Sequence, residues 1–352
     1  MSNPTLSDVA DAAGVSYATA DRVINKRGNV ARKSIAKVEQ AVTSLGYVRN
    51  IAAANLSRGR IYRLAFVIPQ GSNAFFKRIR DHIVETADHL LAERVSATVI
   101  EVPAFAVEGL QDSIAALADQ DFDGVAIVGL QSSALNAPLM RLRDKGVAVV
   151  GLVSDLPVDH RAAYIGIDNR MAGRTAARLI GLAHGRAHGC VMTFAGGLAA
   201  FDHAERLAGF REVMTTDFPQ IDILDPVITK DDPTILQSCT QSALATHPQI
   251  SALYNAGAGN SGLIAAMRDT PHSRPFCAVH ELVAHSRQAL LDNHIDLVID
   301  QRPDDEINRA FTVLRALIDD KTHPPLPDLV PAIYVRDNLP RDPFDQKKAH
   351  TQ

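Results

Sequence analysis

The sequence predicts an all-α helix-turn-helix N-terminal domain followed by an α/β body of two lobes, each built on a doubly wound parallel sheet. Three observations carry that prediction. Residues 1–48 hold three short apolar-periodic stretches separated by turn signals. From Ile61 onward, β-branched runs alternate with amphipathic stretches of helical length, which is the pattern of parallel sheets with crossover helices. Basic residues gather at one end: residues 1–60 carry nine Lys/Arg against four acids, in a chain of net charge −4. A basic head on an acidic body points to a polyanion partner for the head alone.

Composition bounds the rest. A chain of 352 residues predicts about two domains at roughly 150 residues each. Its 46% apolar and 22% charged content, with 21 Gly and 18 Pro, excludes disordered, collagen-like and coiled-coil classes. No apolar run approaches ~18 residues, so no membrane-spanning helix is expected. The N-terminal MSNPTLSDVADAAG lacks a basic n-region and an apolar h-region, so no secretory signal is expected. Cys190, Cys239 and Cys277 are odd in number and widely spaced. They fit a reducing cytoplasm and exclude a disulfide framework or a four-cysteine zinc site.

In the head, Thr5 or Ser7 can cap a helix beginning near Asp8, with Val9, Ala10 and Ala13 on its apolar side. Gly14 frees the backbone for a tight turn, and Ser16 can cap a second helix from Tyr17 to Asn25. Val15, Ala20, Val23 and Ile24 face inward at helical spacing. A third helix runs from Arg32 to Leu45 with Ile35, Val38, Val42 and Leu45 inward, stopped by Gly46. Helix, short glycine turn, helix is the pattern of a DNA reader, although other small helical domains share it.

The residues are more specific than the pattern. TLSDVADAAGVSYATADRVIN, followed by a helix ending in LGY, resembles the N-terminal domain of the lactose-repressor (LacI/GalR) family of transcription regulators. That resemblance implies that the second helix enters the major groove. Tyr17, Ala18 and Arg22 would face base edges, with Arg22 able to pair bidentately with guanine, while Ser16, Thr19 and Asn25 would hold phosphates and Thr5 would also contact DNA. Asp21 departs from the family's small hydroxyl residue and Ala20 from its valine, which leaves the operator sequence open. VRNIAAANLSRGR resembles the family's hinge helix, with Asn50 matching and Leu56 placed as the minor-groove wedge. Arg49 replaces the usual proline there, and a plain alanine-rich linker is the alternative.

In the body, the strand-like runs are Tyr62–Ile68, Val95–Val102, Gly124–Val128, Val147–Val150, Tyr164–Ile167, Cys190–Phe194, Ile221–Ile228, Ile250–Tyr254, Phe276–Val279 and Asp296–Ile299. Ile307, Ala310, Phe311, Leu314, Leu317 and Ile318 mark an amphipathic helix, and a last strand falls near Leu329–Val335. So many strands exceed one comfortable sheet, hence the two lobes and a cleft beyond the carboxyl ends of their strands.

This half resembles the type I periplasmic-binding-protein fold. The resemblance implies effector residues: Phe75 and Phe76 stacking on a ring face with Asn73 beside them, Asp168 at a crossover, and Arg206 as a clasping arginine. It adds Glu281 where the family has an aspartate and Gln301 at the last crossover, with Asp155 and Asn255 as weaker candidates. Mixed donors and acceptors suit a sugar or polyol. Core packing for the phenylalanines, a helix cap for Asp168 and a surface ion pair for Arg206 are the alternatives.

Two motifs point elsewhere. Gly257-Ala-Gly259-Asn-Ser-Gly262 is a literal GxGxxG with an acid, Glu281, 19 residues further on, as in NAD(H)-binding enzymes or redox sensors. It sits near the end of the body rather than opening it, and no second constellation supplies an acid, base or nucleophile. His280-Glu281-Leu-Val-Ala-His285 has one residue too many for a zinc-protease helix, because histidines five apart lie about 140° apart around a helix. The expectation is therefore a regulator and not an enzyme, needing no cofactor or metal. Residues 1–48 would bind DNA, 49–60 form the hinge, 61–340 bind effector and dimerise, and 341–352 form a disordered tail. As one recognition helix reads half a site, a homodimer on a pseudo-palindromic operator is expected.

Overall fold

The computed structural model describes residues 4–24, 30–47, 61–71, 73–268, 274–319 and 326–341. Two compact units divide the chain, Met1–Ile61 and Tyr62–Gln352. The expected hinge at 49–60 lies outside the described residues, as do 342–352 of the expected tail.

The first unit contains α1 (Leu6–Ala13), α2 (Tyr17–Ile24) and α3 (Arg32–Leu45). Thr5, rather than Ser7, caps α1. Its hydroxyl accepts from the Asp8 N–H at 3.3 Å while the Asp8 carboxylate accepts from the Thr5 N–H at 2.7 Å. That reciprocal bonding starts the helix two residues earlier than expected, and the Thr5 backbone bond holds the Asp8 carboxyl below its usual range. Gly14 turns the chain at φ 60°. Val9, Ala10, Ala13, Ala20, Val38 and Ala41 form the buried core. Leu45, expected inward, is 36% exposed. At 1.5 Å per residue α3 is about 21 Å long and α1 about 12 Å, so the last turn of α3 outruns its cover.

In the second unit, β1 (Tyr62–Pro69), β2 (Val95–Val102), β3 (Gly124–Ile127), β4 (Ala148–Leu152) and β5 (Ala163–Ile165) form a parallel sheet in the order β2-β1-β3-β4-β5. The helices α4 (Ala74–His89), α5 (Val107–Leu117) and α6 (Asn136–Asp144) connect them. A second sheet contains β6 (Gly189–Ala195), β7 (Ile221–Ile223), β8 (Val227–Ile228), β9 (Ala252–Asn255), β10 (Phe276–His280), β11 (Leu297–Asp300) and β12 (Ala332–Tyr334). Its order is β12-β11-β10-β9-β6-β7, with β8 on β6 and β12 antiparallel to β11. Around it run α7 (Asn169–His184), α8 (Phe201–Asp217), α9 (Pro233–Thr246), α10 (Asn260–Arg268), α11 (Ala284–Leu291) and α12 (Pro303–Ile318). The expected strand Ile221–Ile228 is broken into β7 and β8. Pro226, which has no N–H to give a ladder, stands in the break.

Chain order and lobe membership part company at α12. It follows β11 of the second sheet, yet Ile307, Ala310, Phe311 and Leu314 pack into the first lobe's core with Phe66, Phe75 and Ile79. The Phe66 and Phe311 ring centroids lie 4.9 Å apart. The chain thus passes between lobes after β5, after β11 and again before β12.

Helices α7 and α8 meet through backbone. A methyl group on Gly173 would lie 1.9 Å from the Arg206 carbonyl oxygen, and one on Gly209 would lie 2.1 Å from that of Arg170. Buried Ala172, Ala176 and Ala177 continue the small-residue face of α7. Overpacking of this kind costs about 1–3 kcal/mol, so Gly173→Ala is expected to lower the body's melting midpoint by about 2–6 °C. Far-UV circular dichroism of the variant beside the parent measures it; an unchanged midpoint would mean that the helices are free to separate.

Candidate functional site

A cavity of about 240 Å³ opens between the two lobes of the body, at the carboxyl ends of their parallel strands. The first lobe contributes Gln70 after β1, Asn73, Phe75 and Phe76 at the start of α4, Phe105 after β2, and Ser154 after β4. The second contributes Asp202, His203 and Arg206 from the first turns of α8, Lys230 and Asp231 after β8, Gly257 and Ala258 after β9, Glu281 after β10, and Gln301 after β11.

Of the nine effector residues expected from sequence, Asn73, Phe75, Phe76, Arg206, Glu281 and Gln301 line this cavity. Asn73 also caps α4, its side-chain oxygen accepting from the Phe75 N–H at 2.9 Å. Phe75 serves core and cavity together at 5% exposure, edge-on to Phe76 with centroids 5.1 Å apart. Arg206 is no surface ion pair, for it is 2% exposed.

The other three expected residues do not line the cavity. Asp155 is turned away by Arg161, whose guanidinium grips both its oxygens at 2.5 and 2.7 Å. Asp168 is an exposed helix cap, accepting from the Met171 N–H at 2.9 Å. Asn255 shapes the following loop instead, donating to Ala258 O at 2.9 Å and to Asn260 Oδ1 at 2.7 Å.

Arg206 is the hub of the polar wall. Its Nε donates to Asn169 Oδ1 at 2.8 Å and its Nη1 to the Ala256 carbonyl at 2.9 Å. Asn169 in turn donates to the Tyr164 hydroxyl at 3.1 Å, and that hydroxyl donates to Val153 O at 2.7 Å in the first lobe. Asp202 lies 3.8 Å from Arg206 Nη2 and 3.7 Å from His203 Nε2. Burial opposes ionisation of Asp202, but the charges of His203 and Arg206 outweigh it and hold the carboxyl below its ordinary range. Glu281 differs: burial, then the neighbouring Asp300, pushes it up to about 8. Burial also raises Asp231, whose carboxylate accepts from the Ala258 N–H at 2.9 Å. Behind the site, burial and then the Glu281 charge push Glu306 well above the carboxylate range.

Sequence reading missed Asp202, His203, Lys230 and Asp231. Asp202 was findable, since a carboxylate four residues before an arginine shares its helix face. Lys230 and Asp231 were not: they reach the cavity through consecutive positive φ values of 54° and 57°, which no glycine advertises.

The glycine loop at 257–262 is filled by its own chain. A methyl group on Gly257 would lie 2.6 Å from Asp231 Oδ1, and one on Gly262 would lie 1.8 Å from the Pro233 carbonyl oxygen. The Ala258 amide that would meet a pyrophosphate already faces the Asp231 carboxylate, so the arrangement opposes a dinucleotide. His280 closes a strand at 0% exposure and bonds the Tyr254 hydroxyl at 2.9 Å. Among the described residues no group of three or more His, Cys, Asp and Glu is placed to hold a metal ion.

In the first unit, Ser16 receives the Thr19 N–H at 3.2 Å, fixing the start of α2. Tyr17, Ala18 and Arg22 are exposed on that helix, with Tyr17 at 59%. Asn25, Asn50 and Leu56 lie outside the described residues.

Residues 64–322 match the family described as periplasmic binding protein domain, and residues 5–50 match the bacterial regulatory proteins of the lacI family. The chain belongs to the periplasmic-binding-protein domain family. It carries a lacI-family helix-turn-helix domain as its head. Among curated relatives it is 33% identical over 217 residues to the transcriptional regulator CelR of Thermobifida fusca, and 28% identical over 215 residues to the regulator DegA of Bacillus subtilis. These matches span 60% of this chain and 61% and 60% of those relatives. A solute-binding protein of Burkholderia graminis in complex with D-arabinose shares the fold at a TM-score of 0.72 and 23% identity, covering 79% of this chain and 96% of that one. GanP, a glucose-galactose binding protein of Geobacillus stearothermophilus, does so at 0.72 and 19%, covering 80% and 100%. Among the described residues no helix is long and apolar enough to cross a membrane.

The carboxyl of Glu281, raised from its ordinary 4.5 to about 8, gives the body a pH signature. The folded state holds a proton there that the unfolded state has released, so stability present below pH 4.5 is lost as pH rises towards 8. Buried His280 and half-buried His285, both pushed down by desolvation, work in the opposite sense but only below about pH 6.5. The melting midpoint is therefore expected to fall between pH 6.5 and 8, and to fall less steeply in Glu281→Gln. Equal slopes in parent and variant would show that Glu281 ionises normally.

Proposed function

We propose that this chain is a sequence-specific DNA-binding transcription regulator, a repressor, whose operator affinity is set by a small sugar or polyol bound between the lobes of the body. The observation that carries this reading is the union, in one chain, of a lacI-family head and a periplasmic-binding-protein body with a polar cleft at its strand ends. Tyr17, Ala18 and Arg22 read base edges, Ser16, Thr19 and Asn25 hold phosphates, and Thr5 also contacts DNA. Asn50 and Leu56 belong to the hinge, with Leu56 the wedge in the minor groove. Because one α2 reads half a site, the regulator is a homodimer on a pseudo-palindrome, working in the cytoplasm. Control is linkage: an effector that binds the closed and open arrangements of the lobes unequally shifts their populations, and DNA affinity moves by the same coupling energy. An NAD(H) enzyme is the weaker reading, because protein atoms occupy the glycine loop.

A duplex selected from a randomised pool by the full chain supplies the operator. Arg22→Ala is expected to weaken binding to that duplex at least about fivefold, given about 1–3 kcal/mol per bidentate base contact, with weak non-specific binding kept. Fluorescence anisotropy measures both. Undiminished discrimination in the variant would remove α2 from the recognition role.

A further inference from the structure

The polar atoms left open around the cleft specify its occupant more narrowly than a neutral sugar. Asp202 Oδ1, His203 Nδ1, Arg206 Nη2, Glu281 Oε2 and Gln301 Oε1 are buried atoms of lining residues, each without a hydrogen-bond partner. Three are acceptors, one is a donor, and the imidazole nitrogen can be either. On the α8 wall, Arg206 Nη2 and Asp202 Oδ1 form a donor and an acceptor side by side, which suits hydroxyl groups. The opposite end is one-sided. Gln301 Nε2 is spent on Glu281 Oε1 at 2.6 Å, which leaves Glu281 Oε2 and Gln301 Oε1 unmet, two acceptors side by side once Glu281 is ionised.

Charge points the same way. A second cavity of about 190 Å³ adjoins the first, sharing Asn73, Phe75, Asp231, Ala258 and Glu281. Its lining holds the Asp231 and Glu281 carboxylates and no Lys or Arg. His285 lines it too, but burial favours its neutral form. The N-terminus of α10 opens on this annex and brings roughly half a positive charge, short of what two carboxylates need. The main cavity's lining holds Arg206, beside Asp202, and Lys230, against the carboxyl groups of Asp202, Asp231, Asp232 and Glu281. An anionic ligand would face net negative charge, and a neutral one would leave Glu281 with only the fields of Arg206 and Arg78, which pair with Asp202 and Asp300 instead. Burial, and then the Asp300 carboxylate, raise the Glu281 carboxyl, and an adjacent cation would favour its ionised form.

We infer that the effector carries a protonated amine, seated against Glu281 Oε2 and Gln301 Oε1 at the mouth of the acidic annex, and so is an amino sugar or an aminated polyol. This rests on the reading of the cleft as an effector site. An ammonium brings N–H donors to both open acceptors and the missing charge to the carboxylates. The remaining hydroxyls meet Asp202 and Arg206, and Phe75 and Phe76 cover the apolar face.

Isothermal titration of the full chain at pH 7 with matched pairs tests the inference: 1-amino-1-deoxy-D-sorbitol with sorbitol, and glucosamine, galactosamine and mannosamine with their parent hexoses. One amine is expected to bind at least tenfold tighter than its neutral partner, and Glu281→Gln is expected to narrow that difference to under threefold. A neutral member binding as tightly as its amine, or tighter, overturns the amine while the effector reading stands. Heat from no member of any pair overturns both. Should Glu281→Gln fail to fold, Asp231→Asn replaces it, with the same narrowing expected and an undiminished difference counting against the inference.

Discussion

The reciprocal backbone contact of α7 and α8 is the constraint on which the cleft depends. Gly173 lies against the Arg206 carbonyl and Gly209 against that of Arg170, so the two helices lock at a distance no side chain would allow. This depth places Arg206 at 2% exposure, where its side chain reaches Asn169 on one helix and the Ala256 carbonyl beyond β9. A guanidinium so buried needs its donors met, and a neutral amide and a carbonyl meet Nε and Nη1 while the Asp202 carboxylate stands 3.8 Å from Nη2. The result is a fixed cation at the cleft wall with one nitrogen still open.

The same hub ties the lobes together. Tyr164, at the end of the first lobe, donates to Val153 O and accepts from Asn169, which holds Arg206. Asn169 is the first residue of α7, directly after the crossover, so a movement of one lobe changes a bond to an arginine that lines the cavity. The crossover into α12 works similarly. Arg302, at φ 61°, opens that helix, and Gln301 beside it carries a lining side chain. Cavity-lining residues and lobe connections are thus neighbours in sequence. That proximity is what a linkage mechanism requires, because differential contact energy has to be released where the two arrangements differ.

Much of this was legible in the sequence, and where it was not the reasons are physical. The alternation of strands and helices identified the two-lobed body because buried parallel strands must be apolar on both faces, as β3 is. Arg206, Glu281 and Gln301 were readable because each follows a strand or opens a helix in a recognisable stretch. Asp168 and Asp155 misled, since an acid at a helix start or strand end is chemically suited to a cap or an ion pair as much as to a ligand, and spacing does not separate these. Lys230 and Asp231 were invisible for another reason: their approach depends on left-handed backbone at two ordinary residues, which only tertiary packing imposes.

The GxGxxG stretch shows why a glycine pattern is ambiguous by itself. Glycine records that something comes close to the backbone, not what. In a dinucleotide fold the visitor is a pyrophosphate; here it is the Pro233 carbonyl at Gly262 and the Asp231 carboxylate at Gly257. The acid at that loop also reverses its electrostatics, because an amide that could have attracted an anion is already neutralised by one. What remains beside the loop is surplus negative charge shared by Asp231 and Glu281, and burial makes each harder to ionise. A site that keeps two such carboxylates facing a cavity holds part of its binding energy in reserve for whatever supplies the positive charge.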